Sequence, residues 1–204
     1  MQLADRPLLN VTLSRSVAGS NSRALERDHA WTGLCIEANP RYAPLFAMRN
    51  CTYVQAAVAD SEGEATWIDT PGGYDASLLA ANRGGARISR NYTVRTLRFD
   101  TILKAVGAPR RVDYLSLDVE RAEPLVLSSF PFATHRFTIM TLEDLGPPGS
   151  KASAAEKRAY VATRQTMRAR LSANGYAVLC QMFNDEVWAP ATLAISRMHV
   201  PVCY

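Results

Sequence analysis

Three short apolar runs in this chain each stop on an acid. They are Gly33-Leu-Cys-Ile-Glu37, the run from Asp113 through Tyr114-Leu-Ser-Leu117 to Asp118, and Phe137-Thr-Ile-Met-Thr-Leu-Glu143. Runs of this length, rich in aliphatic residues and separated by helical patterns, are predicted as buried strands joined by crossover helices, hence a mainly parallel sheet. All strands of such a sheet finish on one edge, and ligands bind beyond that edge. One acid at a strand end is often only loop solvation. Three on one edge mark Glu37, Asp118 and Glu143 as candidate site residues.

The remaining pattern fits the same architecture. Asn39 reads as a helix N-cap with Pro40 as the first helical residue, followed by Tyr42, Leu45, Phe46 and Met48 down one face and a disruptive Pro44. Residues 52–58 are predicted as a strand, Asp60-Ser-Glu-Gly63 as a turn and 64–68 as another strand. Residues 69–92, with two Gly-Gly pairs, form the longest loop-like stretch, a length usually tied to function. Helices are expected over 99–106 and from 122 to 129, with a strand over 113–119. Tyr160, Thr163, Met167 and Leu171 form a helical stripe stopped by Gly175. Residues 176–182 and 187–195 then close the sheet as an antiparallel pair. The expectation is one α/β domain over residues 1–204: a mostly parallel central sheet, helices on both faces, and an antiparallel C-terminal hairpin.

Composition excludes several classes. No apolar run approaches the roughly 20 residues of a membrane helix, and the first residues lack the basic-then-apolar order of a signal peptide. The formal charge is +4, but the arginines are interspersed with acids, and even the group Arg83, Arg87, Arg90, Arg95 and Arg98 is interrupted, so no nucleic-acid partner is expected. Cys35, Cys51, Cys180 and Cys203 show no metal-ligand spacing and are read as reduced thiols. A cytoplasmic protein with no membrane partner and no metal site is the expectation.

Glu37 has the most definite chemistry, because a carboxylate ending the second strand accepts hydrogen bonds from both ribose hydroxyls of an adenosine cofactor. The plainer alternative is an acid flanking the Asn39 cap. Asp118, Glu120 and Glu123 follow a strand closely enough to suggest a metal or a carboxyl with raised pKa suited to base catalysis. Their alternative is a helix start favoured by the macrodipole.

The ordered series Gly33-Leu-Cys-Ile-Glu-Ala-Asn-Pro40, Gln55-Ala-Ala-Val58, Thr96-Leu-Arg-Phe-Asp100, Leu117-Asp-Val-Glu-Arg-Ala-Glu123, Thr141-Leu-Glu143 and Asn174-Gly-Tyr176 resembles the FkbM-type methyltransferases. Ser20-Asn21, Leu25-Glu26 and Trp31 resemble the lead-in of one branch, and the likeness runs over about residues 20–190. The resemblance implies a Rossmann-like class I fold and methyl transfer from S-adenosylmethionine to a hydroxyl of a sugar or related small molecule. It implies that Glu37, Asn39, Gln55, Ala56 and Asn21 bind the cofactor. Asp118 and Glu120 would lie beside the transferred methyl, and Glu123 and Glu143 would face the acceptor.

Two segments depart from the family pattern. Thr12 and Ser16 stand where glycines of the first strand's turn are expected, with Arg15 in place of an acid or amide, and Arg121 replaces the glycine of the D-V-E-G-A-E segment. Side chains in such a turn crowd a ligand that glycine lets the backbone approach. A non-catalytic relative that keeps the sheet for stability or partner binding is therefore the competing reading. A dehydrogenase is disfavoured by the lack of a GxGxxG after a first strand.

Overall fold

In Thr32-Gly-Leu-Cys-Ile-Glu37 the interior residues Leu34, Cys35 and Ile36 are all buried, as expected for a strand covered on both faces. A computed structural model describes residues 7–12 (backbone only), 20–69, 90–119, 122–143, 152–182 and 185–195. In chain order its elements are β1 (Pro7–Thr12), α1 (Arg23–His29), β2 (Thr32–Glu37), a 3-10 helix (Pro40–Met48), β3 (Cys51–Gln55), β4 (Ala57–Ala59), β5 (Gly63–Asp69) and β6 (Arg90–Arg98). There follow α2 (Phe99–Ala105), β7 (Arg111–Asp118), α3 (Glu123–Ser128), β8 (Arg136–Glu143), α4 (Ala154–Ala173), β9 (Tyr176–Met182), β10 (Asp185–Pro190) and α5 (Ala191–Ile195).

The main sheet has the order β3-β2-β1-β7-β8-β10-β9. Its first five strands are parallel, and β10 runs antiparallel to both β8 and β9. A three-stranded sheet, β4-β6-β5, stands beside it. The mixed α/β architecture, the parallel centre and the antiparallel closing pair follow the pattern expected from the sequence.

The two faces of the main sheet differ in chemistry. On one, Leu34, Ile36, Leu115, Leu117, Met140, Leu142 and Trp188 join the buried core with Met167 and Leu171 of α4. The Glu186 carboxylate, fully buried on this side, takes hydrogen bonds from Arg164 and Arg168 of α4 and from the Trp188 indole. The opposite face carries Cys35, Tyr114, Ser116 and Thr141, and α1 meets it through Glu26. Helices thus lie on both faces.

Several local expectations are corrected. The segment 52–58 is not one strand: it divides at Ala56, β3 joining the main sheet and β4 the small one. Pro44 keeps residues 40–48 a 3-10 helix, in which Phe46 is buried while Met48 is 61% exposed, so the apolar face is not a continuous one. Asp69 belongs to β5 and residues 90–92 to β6, which shortens the expected loop; residues 70–89 lie outside the described ones. In α4 the buried part of the stripe is Met167 and Leu171, with Thr163 exposed. Gly175, at φ +85°, supplies the left-handed residue after that helix. The last strand stops at Pro190, and α5 takes the residues that follow.

The thiol reading is also corrected. Cys35 and Cys51, on adjacent strands with Cα atoms 5.8 Å apart, form a disulfide, and Cys180 is disulfide-bonded as well. The first pair lies 16 positions apart in sequence, and only the β2–β3 register, with Gly33 opposite Cys51, brings them together. Among the described residues no helix is long and apolar enough to cross a membrane.

Candidate functional site

Residues opposed in register share a face of a sheet, and a strand's alternate residues return to it. Gln55 is opposite Glu37 and Asp185 is opposite Glu143. Leu117 is opposite Leu142, which sets Asp118 beside Glu143, and Thr12 of β1 is opposite Asp118. Five strand termini therefore align Gln55, Glu37, Asp118, Glu143 and Asp185 in one row on the polar face, at the carboxyl edge of the parallel strands. The three acids read from the sequence do share that edge.

Glu37 is fully buried. Its Oε1 accepts a 2.7 Å hydrogen bond from the Asn39 backbone N–H, whereas Oε2 has no hydrogen-bond partner among the described residues. Burial pushes this carboxyl well above its ordinary range, the Asn39 bond opposes the rise, and the nearby Asp118 charge adds to it. Asn39 is fully buried too; its Oδ1 caps the 3-10 helix by accepting from Arg41 N, and its Nδ2 has no partner among the described residues. Tyr53, stacked on Phe46 at 4.4 Å, donates towards the Glu37 carbonyl, and its phenol is pushed up to about 12 by burial and the Glu37 charge.

Asp118 is raised by burial and lowered by a hydrogen bond with Glu143, while its Oδ1 lacks a partner among the described residues. Two neighbouring carboxyls hydrogen-bond in this way by sharing a proton. Asp185 is raised by burial and then by the Asp118 charge, and the Asn21 amide offsets part of that rise. Asn21 Nδ2 donates to Asp185 at 3.2 Å and to the Ser116 hydroxyl at 3.4 Å. Below them the Tyr114 and Thr141 hydroxyls share a 2.7 Å hydrogen bond.

Of the remaining sequence candidates, Ala56 is buried at the β3–β4 break and Gln55 is exposed at the end of the row. Glu123 is buried with Oε1 accepting from Val119 N, so it holds the backbone just after Asp118. Glu120, Arg121 and residues 13–19, which include Arg15 and Ser16 of the expected turn, lie outside the described residues. Asp185 was not among the residues picked from sequence. An antiparallel strand enters the sheet at the edge where the parallel strands leave it. Its first residue therefore reaches the site, and an acid opening the last strand of an α/β domain is the signal to look for.

The family model described as the methyltransferase FkbM domain matches residues 13–178. The chain belongs to the FkbM methyltransferase family. No curated protein and no solved structure matches it significantly. The match spans β2, β7 and β8, so the acids at their ends fall within the family's domain. A methyltransferase needs a methyl donor and a place for it beside an acceptor.

Proposed function

We propose that the carboxyl edge of the sheet binds S-adenosylmethionine and transfers its methyl group to a hydroxyl of a sugar or other small molecule, in a Rossmann-like class I arrangement. The observation that carries this reading is the fully buried Glu37 Oε2, left without a hydrogen-bond partner among the described residues, as is Nδ2 of the fully buried Asn39 two positions on. Buried polar atoms are nearly always satisfied, so orphans at a strand end suit a ligand's hydroxyls and ring nitrogens. Glu37 and Asn39 would hold the adenosine part, with Gln55 and Ala56 beside it and Asn21 on the methionine side. When bound, the donor supplies an activated methyl group on a sulfonium.

Asp118 takes up the acceptor's proton, since an alkyl hydroxyl is a poor nucleophile until that proton is removed or shared. Its raised pKa brings proton affinity closer to neutrality, and the proton of the hydrogen bond between the two carboxyls stays with Glu143 while Asp118 takes up the acceptor's. Asp185, steadied by Asn21, accepts a second hydroxyl of the substrate and orients it. Glu120 remains a proposed partner of Asp118 on sequence grounds, and Glu123 acts by fixing the Val119 backbone.

The test is methyl transfer from labelled S-adenosylmethionine to a panel of sugars and polyketide-like alcohols. Label should enter an acceptor, and Asp118→Asn should lower turnover by roughly 10²–10⁴-fold with donor affinity kept. Turnover unchanged in Asp118→Asn would overturn the role of this acid.

A further inference from the structure

On the same face as the acidic row, deeper along β2 and β3, the Cys35 and Cys51 sulfurs meet Glu26 of α1. Each of the three offers one ligand atom, and those atoms all lie within 4.8 Å of one another. We propose that this cluster is a two-state site: a disulfide when oxidised and, once reduced, a binding site for a soft divalent cation of the zinc class. The proposal stands apart from the methyl-transfer reading.

The ligand chemistry suits such a cation, because thiolates prefer zinc-like ions and a carboxylate completes a three-ligand set to which solvent adds the fourth. Glu26 is disposed to serve it. Its Oε2 accepts from Arg49 Nε at 2.8 Å and from the Asn50 backbone N–H at 3.0 Å, and Oε1 faces Cys35 Sγ at 4.0 Å. Arg49 Nη2 also reaches Oε1, at 2.5 Å, and would release only that contact while keeping Oε2 and Ser22. Charge closes as well. Two thiolates and Glu26 carry three negative charges, Arg49 one positive and the cation two, so the buried cluster is neutral with the cation bound. It is equally neutral as two thiols beside the Glu26–Arg49 pair.

The entry route is set by exposure. Cys51 is only partly buried and Asn50 beside it is exposed, whereas Cys35 is fully buried. A thiolate of an external dithiol attacks the Cys51 sulfur and the disulfide breaks, releasing Cys35 as a thiolate. The second thiol of the reductant then attacks the mixed disulfide, freeing Cys51, and the reductant departs as a cyclic disulfide. As the cation binds, the thiol protons pass to solvent.

The experiment titrates Cd²⁺ into the full chain carrying Cys180→Ser and Cys203→Ser, so that only Cys35 and Cys51 report, and follows cadmium–thiolate absorption in the ultraviolet. After reduction one equivalent should bind with a thiolate band. The oxidised chain and a further Cys35→Ser variant should show none, and Glu26→Gln should bind roughly tenfold or more weakly. Circular dichroism checks that each variant is folded. Should the background variant not fold, the same titration compares the reduced unmodified chain with Cys35→Ser/Cys51→Ser, which should lose one equivalent. A folded, reduced chain without the band, or a band that survives Cys35→Ser in the background variant, would overturn the proposal.

Discussion

Two sets of acids, buried at Glu26, Glu186 and Glu37 and half-buried at Asp118, are treated in opposite ways in this molecule. Glu26 and Glu186 are enclosed by partners: Arg49, the Asn50 backbone and Cys35 surround the first, and Arg164, Arg168 and Trp188 the second. Glu37 and Asp118, at the strand ends, keep one oxygen each without a hydrogen bond, and neither has a cation beside it among the described residues. Burying a carboxylate costs several kcal/mol unless it is paired or hydrogen-bonded. The first pair therefore serves the fold, fastening α1 and α4 to the two faces of the sheet. The second pair is held in place by the same sheet, and under the function proposed above the donor and acceptor would complete it.

The contrast breaks most visibly through Arg49. Arg49→Met leaves Glu26 buried without its cation and should cost about 3–5 kcal/mol of stability, read as a shift in the urea midpoint. Donor affinity of the folded fraction should be unchanged. If stability survives and binding fails, the assignment of Glu26 to the fold is wrong.

A smaller effect sharpens the other side. Glu37, Asp118 and Asp185 all have folded-state pKa values raised above their ordinary range, chiefly by burial. The folded chain therefore holds protons that the unfolded chain has released. Their contribution to stability is full below the ordinary carboxylate range and is lost as pH rises through the raised values. Thermal unfolding of the ligand-free chain should show this decline with rising pH. Glu37→Gln, which cannot ionise, should make the decline shallower; an identical slope would remove Glu37 from the set.

The strand-end acids were legible in the sequence because hydrophobic runs and their stopping residues report directly on a parallel sheet. Asn39 as a cap followed from Asn-Pro chemistry alone. Strand β6 was not legible: Arg90-Asn-Tyr-Thr-Val-Arg-Thr-Leu-Arg98 has few apolar residues, and Val94 and Leu97 are buried by the small sheet that it builds with β4 and β5. Asp185 escaped because strand direction, not local pattern, brings it to the edge. The Cys35–Cys51 pair escaped for a related reason, since a contact between neighbouring parallel strands leaves no spacing motif in the chain.

The central claim is that the unpartnered strand-end polar atoms form the donor site, and calorimetric titration of S-adenosylmethionine tests it most directly. The unmodified chain should bind the donor. Glu37→Ala should weaken binding by about 1.5–3 kcal/mol, the scale of hydrogen bonds to a charged group, with little change in melting temperature. Equal affinity in the two proteins, or no binding by the unmodified chain, would contradict the account.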